Sequence, residues 1–324
     1  MAELTHWAFP EELQPKAEAL RFDLDKVLRS IVLLRAEVPE DAFTASILGT
    51  ERVGSGVVIR EDGLVLTIGY LITEAESIWL TTNDGTAVPA HAVAYDYVTG
   101  FGLVAPLGRM SVPALERGLS ANAPIGSDAI VASHGGRGHT LSTRVVDKRE
   151  FAGYWEYVVD EALFTAPAHP HWSGAALIGV DGRLLGIGSL LVQEPSGSET
   201  IDANMFVPID LLEPILDDLA STGRAARAPR PWLGLYATES KGQLVVNGLA
   251  TDGPAARAGV KLGDRVIEVA GQRVGGLSDL FRKVWHLGPA GTEVPLTLAR
   301  GQSRSRVHVR STDRDELLRK PLRH

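Results

Sequence analysis

Between Ile31 and Ile209 the sequence is a succession of short apolar or alternating runs closed off by turn residues: SIVLLR, GSGVVI, GLVLTI, SIWLTT, AVPAHAVAY, GLVAPL, DAIVAS, YWEYVV, RLLGIGSLLV and NMFVPI. Runs of this length bury one face most simply as strands, because a strand alternates its side chains with period two whereas a helix needs several turns to build an apolar stripe. The turns agree. EDG at 61–63, NDG at 83–85 and VDG at 180–182 place Asp-Gly or its kin where a hairpin needs positive φ. Many short strands at this spacing predict an all-β sandwich or barrel. Helical spacing precedes them, with Leu13, Ala17, Leu20, Leu24 and Leu28 predicting one or two short helices over 11–30, and a further helix is expected over Ile209 to Ser221.

With 324 residues, 44% of them hydrophobic, the chain has room for two or three domains with real cores. It has no cysteine, which excludes disulfide frameworks, thiolate metal sites and cysteine nucleophiles. Charge is divided: residues 1–220 hold 31 acidic and 14 basic side chains, residues 221–324 hold 9 and 18. The two parts therefore read as different domains. The basic side chains lack the aromatic interleaving of a single-strand binder and no helix has a reading face, so nucleic acid is not an expected partner. The stretch TGRAARAPRP reads as a linker. Beyond it PWLGLY, QLVVNGL, DRVIEVAG, EVPLTLAR and RVHVR read as strands, and PAARAGV and LSDLFRKVWHL as helices, an α+β module of about 80 residues. No apolar run approaches the ~20 residues that cross a bilayer, so no membrane partner is expected. The N-terminus shows no basic start followed by an apolar core, so the expected location is cytoplasmic; a trimmed periplasmic chain would read the same.

The order and spacing of several segments resemble the HtrA-type (Deg-type) serine proteases. GSGVVIREDGLVLT at 54–67 and TNDGTAVPAHAVAYD at 82–96 are similar to the family's first barrel, and IGSDAIVASHGGRG at 125–138, HWSGAALIGVDGRLLGIGS at 171–189 and NMFVPI at 204–209 to its second. GPAARAGVKLGDRVIEVAGQRV at 253–274 is similar to the family's PDZ segment. The resemblance implies a mainly β fold: a chymotrypsin/trypsin-like double β-barrel followed by an α+β PDZ domain. The expected boundaries are an N-terminal helical segment at 1–26, the barrels at 27–220, a linker at 221–230, the PDZ domain at 231–312 and a tail at 313–324. Trimers are common in the family, so a homo-oligomer is implied by resemblance.

A serine nucleophile needs a base to take its proton and a third group to orient that base. By resemblance Ser173 holds the nucleophile's place, followed by Gly174. The family's Thr-Asn-x-His-Val-Val is matched by Thr67-Ile68-Gly69-Tyr70-Leu71-Ile72, which puts Tyr70 in the place of the histidine. Its Thr-Asp-Leu-Ala-Leu-Leu is matched by Thr99-Gly100-Phe101-Gly102-Leu103-Val104, which puts Gly100 in the place of the aspartate. Asp96 lies four residues upstream and carries little weight as a substitute. The oxyanion-loop glycine two residues before the nucleophile is here His171. A phenol is protonated at pH 7 and is no general base. His169 and His171, just before the serine, could bring an imidazole near it as a replacement base but have no carboxylate in view to orient them, and His134, His139, His169 and His171 match no zinc spacing. Neither metal nor cofactor is expected.

In the second module Pro231-Trp232-Leu233-Gly234-Leu235 matches the carboxylate-binding loop, where successive backbone amides face a peptide's C-terminus and the next strand edge accepts the peptide as an added strand. Leu280 and Val284, four apart on the helix expected at Ser278 to Leu287, are expected to serve both core and groove; Trp232 reads equally as a core anchor or a lid. The partners so implied are peptide or protein C-termini. The expected function is that of an HtrA-like pseudoprotease binding unfolded or C-terminal peptides as scaffold, chaperone or regulator; the alternative is a serine endopeptidase using Ser173 with a rearranged base.

Overall fold

The computed structural model describes residues 7–196 and 199–319. Two compact units make up the chain. Of the described residues, the first holds 7–149, Glu161–Ala226 and Arg319; the second holds Arg227–Leu318 together with a short piece of earlier chain, Glu150–Asp160.

The first unit contains both barrels. Strands β1 (Ile31–Glu37), β2 (Glu51–Val58), β3 (Val65–Ile68), β4 (Ser77–Thr81), β5 (Ala87–Tyr95) and β6 (Phe101–Pro106) close on themselves in the order β1-β2-β3-β6-β5-β4. Strands β7 (Asp128–Ala132), β8 (Thr140–Gly153), β9 (Tyr157–Ala166), β10 (Ala176–Ile178), β11 (Leu184–Ser196) and β12 (Glu199–Pro208) close as β10-β11-β12-β9-β8-β7. Closure removes the exposed sheet edges that short antiparallel strands would otherwise present. Buried apolar residues fill each barrel, among them Leu66, Phe101 and Leu103 in the first and Leu163 and Phe206 in the second.

The two helical expectations in this unit are met only in part, and proline is the reason. Over 11–30 the chain forms one-turn helices at Glu11–Leu13 and Ala17–Ala19, and only Leu24–Arg29 is a true helix. Pro15 holds Gln14 in extended backbone, which ends the first turn. Over 209–221 a one-turn helix at Ile209–Leu211 is separated by Pro214 from a helix at Leu216–Thr222.

The second unit has a sheet ordered β13 (Leu235–Ser240), β14 (Gln243–Leu249), β15 (Arg265–Val269), β17 (Glu293–Arg300), β18 (Ser303–Arg310), with β16 (Gln272–Arg273) beside β15. The helices Pro254–Arg257 and Leu277–His286 accompany it. Leu280, Phe281 and Val284 are buried in its core with Leu235, Ala237 and Leu296, and Val158 from the inserted piece belongs to the same apolar cluster.

Candidate functional site

Strand register brings the expected catalytic positions together. Ile68, the last residue of β3, pairs with Phe101, the first of β6, so the residues just beyond them, Gly69-Tyr70 and Gly100, fall side by side. The Gly69 N–H donates to the Gly100 carbonyl at 2.8 Å. From the other barrel, the loop before β10 carries Ser173 to the same place, where its carbonyl accepts the Ser55 N–H at 2.8 Å. Gly174 makes this approach possible. It has φ +72°, and a β-carbon there would lie 1.9 Å from the Ser55 carbonyl oxygen.

The Tyr70 hydroxyl lies 2.8 Å from Ser173 Oγ and donates to the Ser189 carbonyl, also at 2.8 Å. A phenol has one proton. With that proton on the Ser189 carbonyl, the serine hydroxyl donates to the phenol oxygen and so keeps its own proton. Burial pushes the Tyr70 pKa further up from its ordinary value, against the pull of Ser173. The pair is a neutral hydrogen-bond clamp across the seam of the barrels.

Gly100, at φ +87°, offers no side chain where an orienting carboxylate would stand. Asp96 does not replace it: its Oδ2 accepts the Thr99 N–H at 2.9 Å and the Thr99 hydroxyl at 2.7 Å, closing the turn that precedes β6.

The oxyanion loop is turned inward. The His171 N–H donates to His169 Nδ1 at 2.9 Å, so this amide faces an imidazole on its own chain. Nδ1 accepts, and the opposite nitrogen, 3.1 Å from the His139 carbonyl, therefore carries the proton. Asn204 grips the same residue by both its N–H and its carbonyl. His169 is wholly buried, and burial pulls its pKa down to about 4. Both ring nitrogens of His169 are thus engaged. The His171 ring stacks on Trp7 with centroids 4.9 Å apart, and Trp7, Arg35, Ser55, His134, His171 and Ser173 share the lining of a cleft of about 760 Å³. Among the described residues no three metal-ligating side chains gather to hold an ion.

In the second unit the loop before β13 has the amide array expected of it. Gly234 has φ +67°, and a β-carbon would press within 2.9 Å of Trp232 and Ala250. Trp232 is buried at 3% exposure, which answers the open choice in favour of a core anchor. The Leu233, Gly234 and Leu235 amides all donate to one carboxylate, that of Glu156, at 3.1, 2.7 and 3.2 Å to Oε1. Leu280 and Val284 are each 1% exposed and lie in one apolar cluster that includes Val158.

The matches to known proteins follow this division. A model of the trypsin-like peptidase domain matches residues 54–187 and one of the PDZ domain matches 231–310. A probable periplasmic serine endoprotease, DegP-like, from Halomonas elongata is 28% identical over 271 residues, covering 79% of this chain and 56% of that protein. The chain is HtrA-like, a trypsin-like peptidase domain followed by a PDZ domain. A second DegP-like probable periplasmic serine endoprotease, from Pseudomonas fulva, is 24% identical over 272 residues, with 80% of this chain and 55% of the relative covered. The chain thus spans about half the length of the curated relatives it matches. Among solved structures the HtrA-type protease AlgW with tripeptide shares the fold at TM-score 0.54 and 19% identity, over 95% of this chain and 99% of that one. The serine endoprotease from Yersinia pestis does so at 0.53 and 21%, over 91% and 99%.

The relatives overturn one expectation. Cytoplasmic location, read from the N-terminal composition, is corrected by HtrA relatives that are named periplasmic. Three participants were not singled out from the sequence: Trp7, Ser189 and Glu156. Ser189 contributes only a backbone carbonyl, which no side-chain pattern reveals. Glu156 left a trace, a lone acid in the apolar aromatic run YWEYVV, where an unpaired carboxylate would be costly to bury.

Proposed function

We propose that this HtrA-like chain is a periplasmic peptide-binding protein whose serine site is catalytically silent, and that it acts as scaffold, chaperone or regulator through its PDZ unit. The observation that carries the reading is the Tyr70 hydroxyl 2.8 Å from Ser173 Oγ, a neutral phenol where the base should stand. Gly100 in place of the carboxylate and the His171 amide held by His169 add to it. Loss of a triad member costs on the order of 10⁶ in turnover, about 8 kcal/mol, and what survives elsewhere is owed largely to an oxyanion hole. Here that hole has one donor turned away.

The PDZ part of the reading rests on the amide array at Leu233, Gly234 and Leu235, which suits a free C-terminal carboxylate, and on the PDZ match at 231–310. A homotrimer, common in the family, is the assembly proposed with it.

A second reading, serine endopeptidase with a rearranged base, is favoured by the relatives' names and by the retained Ser173-Gly174 pair. In that case the base falls to His171, which lines the same cleft and whose pKa burial lowers, leaving it neutral. Casein hydrolysis and fluorophosphonate labelling decide between them. The first reading requires no hydrolysis above a Ser173→Ala control; hydrolysis that vanishes in Ser173→Ala and in His171→Ala establishes the second.

A further inference from the structure

The amides that the reading above assigns to a peptide's C-terminus already hold a carboxylate. Glu156 stands at the tip between β8 and β9, 8% exposed, and takes the N–H groups of Leu233, Gly234 and Leu235. We propose that the tip of the β8–β9 hairpin, Glu150–Asp160, is an internal PDZ ligand, its Glu156 side chain standing in for a C-terminal carboxylate, so that an outside C-terminus binds only by displacing it. The inference rests on the reading of the loop as a receptor for free carboxylates.

The hairpin matches a peptide ligand at more than one point. Glu156 closes the turn before β9, and Val158 and Asp160 alternate with their neighbours on one face of that strand. The first is the carboxylate. The second, Val158, is 7% exposed and sits in the apolar cluster with Leu235, Ala237, Leu280 and Val284, where a ligand's apolar side chain belongs. The third, Asp160, pairs with Arg282 on the helix Leu277–His286, and Arg282 also holds Glu150 at 2.6 Å. Carboxylate, apolar residue and acidic flank are thus all supplied by eleven residues of this chain's own sequence, EFAGYWEYVVD, which carries three acids and no basic side chain. The acids face the basic part of the chain, as charge complementarity favours.

Two further contacts fix the tip. Arg314 Nη1 donates to the Trp155 carbonyl at 3.2 Å, and the Tyr154 and Tyr236 rings meet edge to face at 6.0 Å. Glu156 itself has φ +62°, a left-handed conformation that a turn ordinarily gives to glycine or asparagine. The hairpin's own geometry therefore favours glycine at 156, and it is the side chain's three amide partners that account for a glutamate there. An occupant tethered to its site competes at an effective concentration in the millimolar range, which lowers the apparent affinity of any free peptide accordingly.

The test uses the full chain and a fluorescent decapeptide ending in valine with two acidic residues upstream, as free acid and as C-terminal amide. Glu156→Gly removes the carboxylate at a φ that glycine adopts freely, and Glu156→Gln keeps its size. A third variant, Glu150→Gln with Asp160→Asn, removes the hairpin's grip on Arg282 and leaves the loop intact. The expected result is at least tenfold tighter binding of the free acid by Glu156→Gly and Glu156→Gln, a several-fold gain in the third variant, and little binding of the amide throughout. Hydrogen exchange at the Leu233, Gly234 and Leu235 amides, without peptide, should speed up in both Glu156 variants. Equal free-acid affinity in wild type and variants overturns the proposal and leaves the carboxylate reading standing. Faster exchange with no preference for acid over amide sinks that reading, and displacement with it; unchanged exchange refutes the Glu156 contact itself.

Discussion

Replacing Tyr70 by phenylalanine separates a clamp from a base. The hydroxyl makes two 2.8 Å contacts, to Ser173 Oγ and to the Ser189 carbonyl, and Phe deletes both while keeping the ring. The Ser189 carbonyl, on a buried residue, loses its donor at a cost of about 1–3 kcal/mol, offset in part because the phenol's own desolvation disappears, while Ser173 Oγ still faces the cleft, so the net loss should be about 1–2 kcal/mol. For a unit of this size that is a fall in Tm of roughly 2–8 °C, read by scanning calorimetry. The chemical consequence has the opposite character. A phenol with its ordinary pKa is ionised to about one part in a thousand at pH 7, and burial at this site shifts Tyr70 further toward the neutral form. Taking it away should leave the rate of fluorophosphonate labelling at Ser173 within about threefold of wild type, measured against Ser173→Ala as background. Loss of a true general base would instead slow labelling by about 10²–10⁴. A hundredfold loss of labelling would make Tyr70 the base and refute the reasoning; an unchanged Tm would mean that the hydroxyl holds nothing.

Three more outcomes follow from particular contacts. Gly174→Ala should destabilise the first unit by at least about 3 kcal/mol in urea unfolding, because its β-carbon meets the Ser55 carbonyl at 1.9 Å and the backbone sits at φ +72°. Gly234→Val should cost about 2–4 kcal/mol and abolish binding of the free-acid peptide, since the new β-carbon meets Trp232 and Ala250 at 2.9 Å; retained binding would remove the loop from the site. Burial pushes the docked Glu156 carboxyl up to about 7 against the pull of the Leu233, Leu235 and Gly234 amides and of Arg314. A released glutamate titrates near ~4.3, so between these values the docked form binds the extra proton and docking weakens as pH rises, by on the order of a hundredfold in the docking equilibrium. Arg314 and the Tyr236 phenol also face this group. Peptide affinity should therefore climb from pH 5 to 7.5 in the wild type and stay flat in Glu156→Gln; a wild-type affinity that falls over this range contradicts the assignment.

What the sequence revealed and what it hid divide by the range of the interactions. The barrels are legible because their signals are local: the Asp-Gly turns at Gly63, Gly85 and Gly182, with φ +87°, +89° and +79°, sit where β2–β3, β4–β5 and β10–β11 reverse. The helices at each end are shorter than apolar spacing alone predicts because Pro15 and Pro214 interrupt them, and a proline overrides a favourable stripe by removing a donor and restricting its neighbour. Tyr70 and Ser173 are 103 positions apart, and only resemblance to a family places them together; their 2.8 Å contact is a tertiary fact. Glu156 was harder still, since its donors lie 77 to 79 positions away in another compact segment of sequence, and YWEYVV reads locally as one more strand. Yet the acid within that run posed a physical question that strand periodicity does not answer. A carboxylate embedded among aromatic residues must find several donors or lose its charge, and a loop whose amides point outward under a left-handed glycine is one of the few places on a β protein that has them to give.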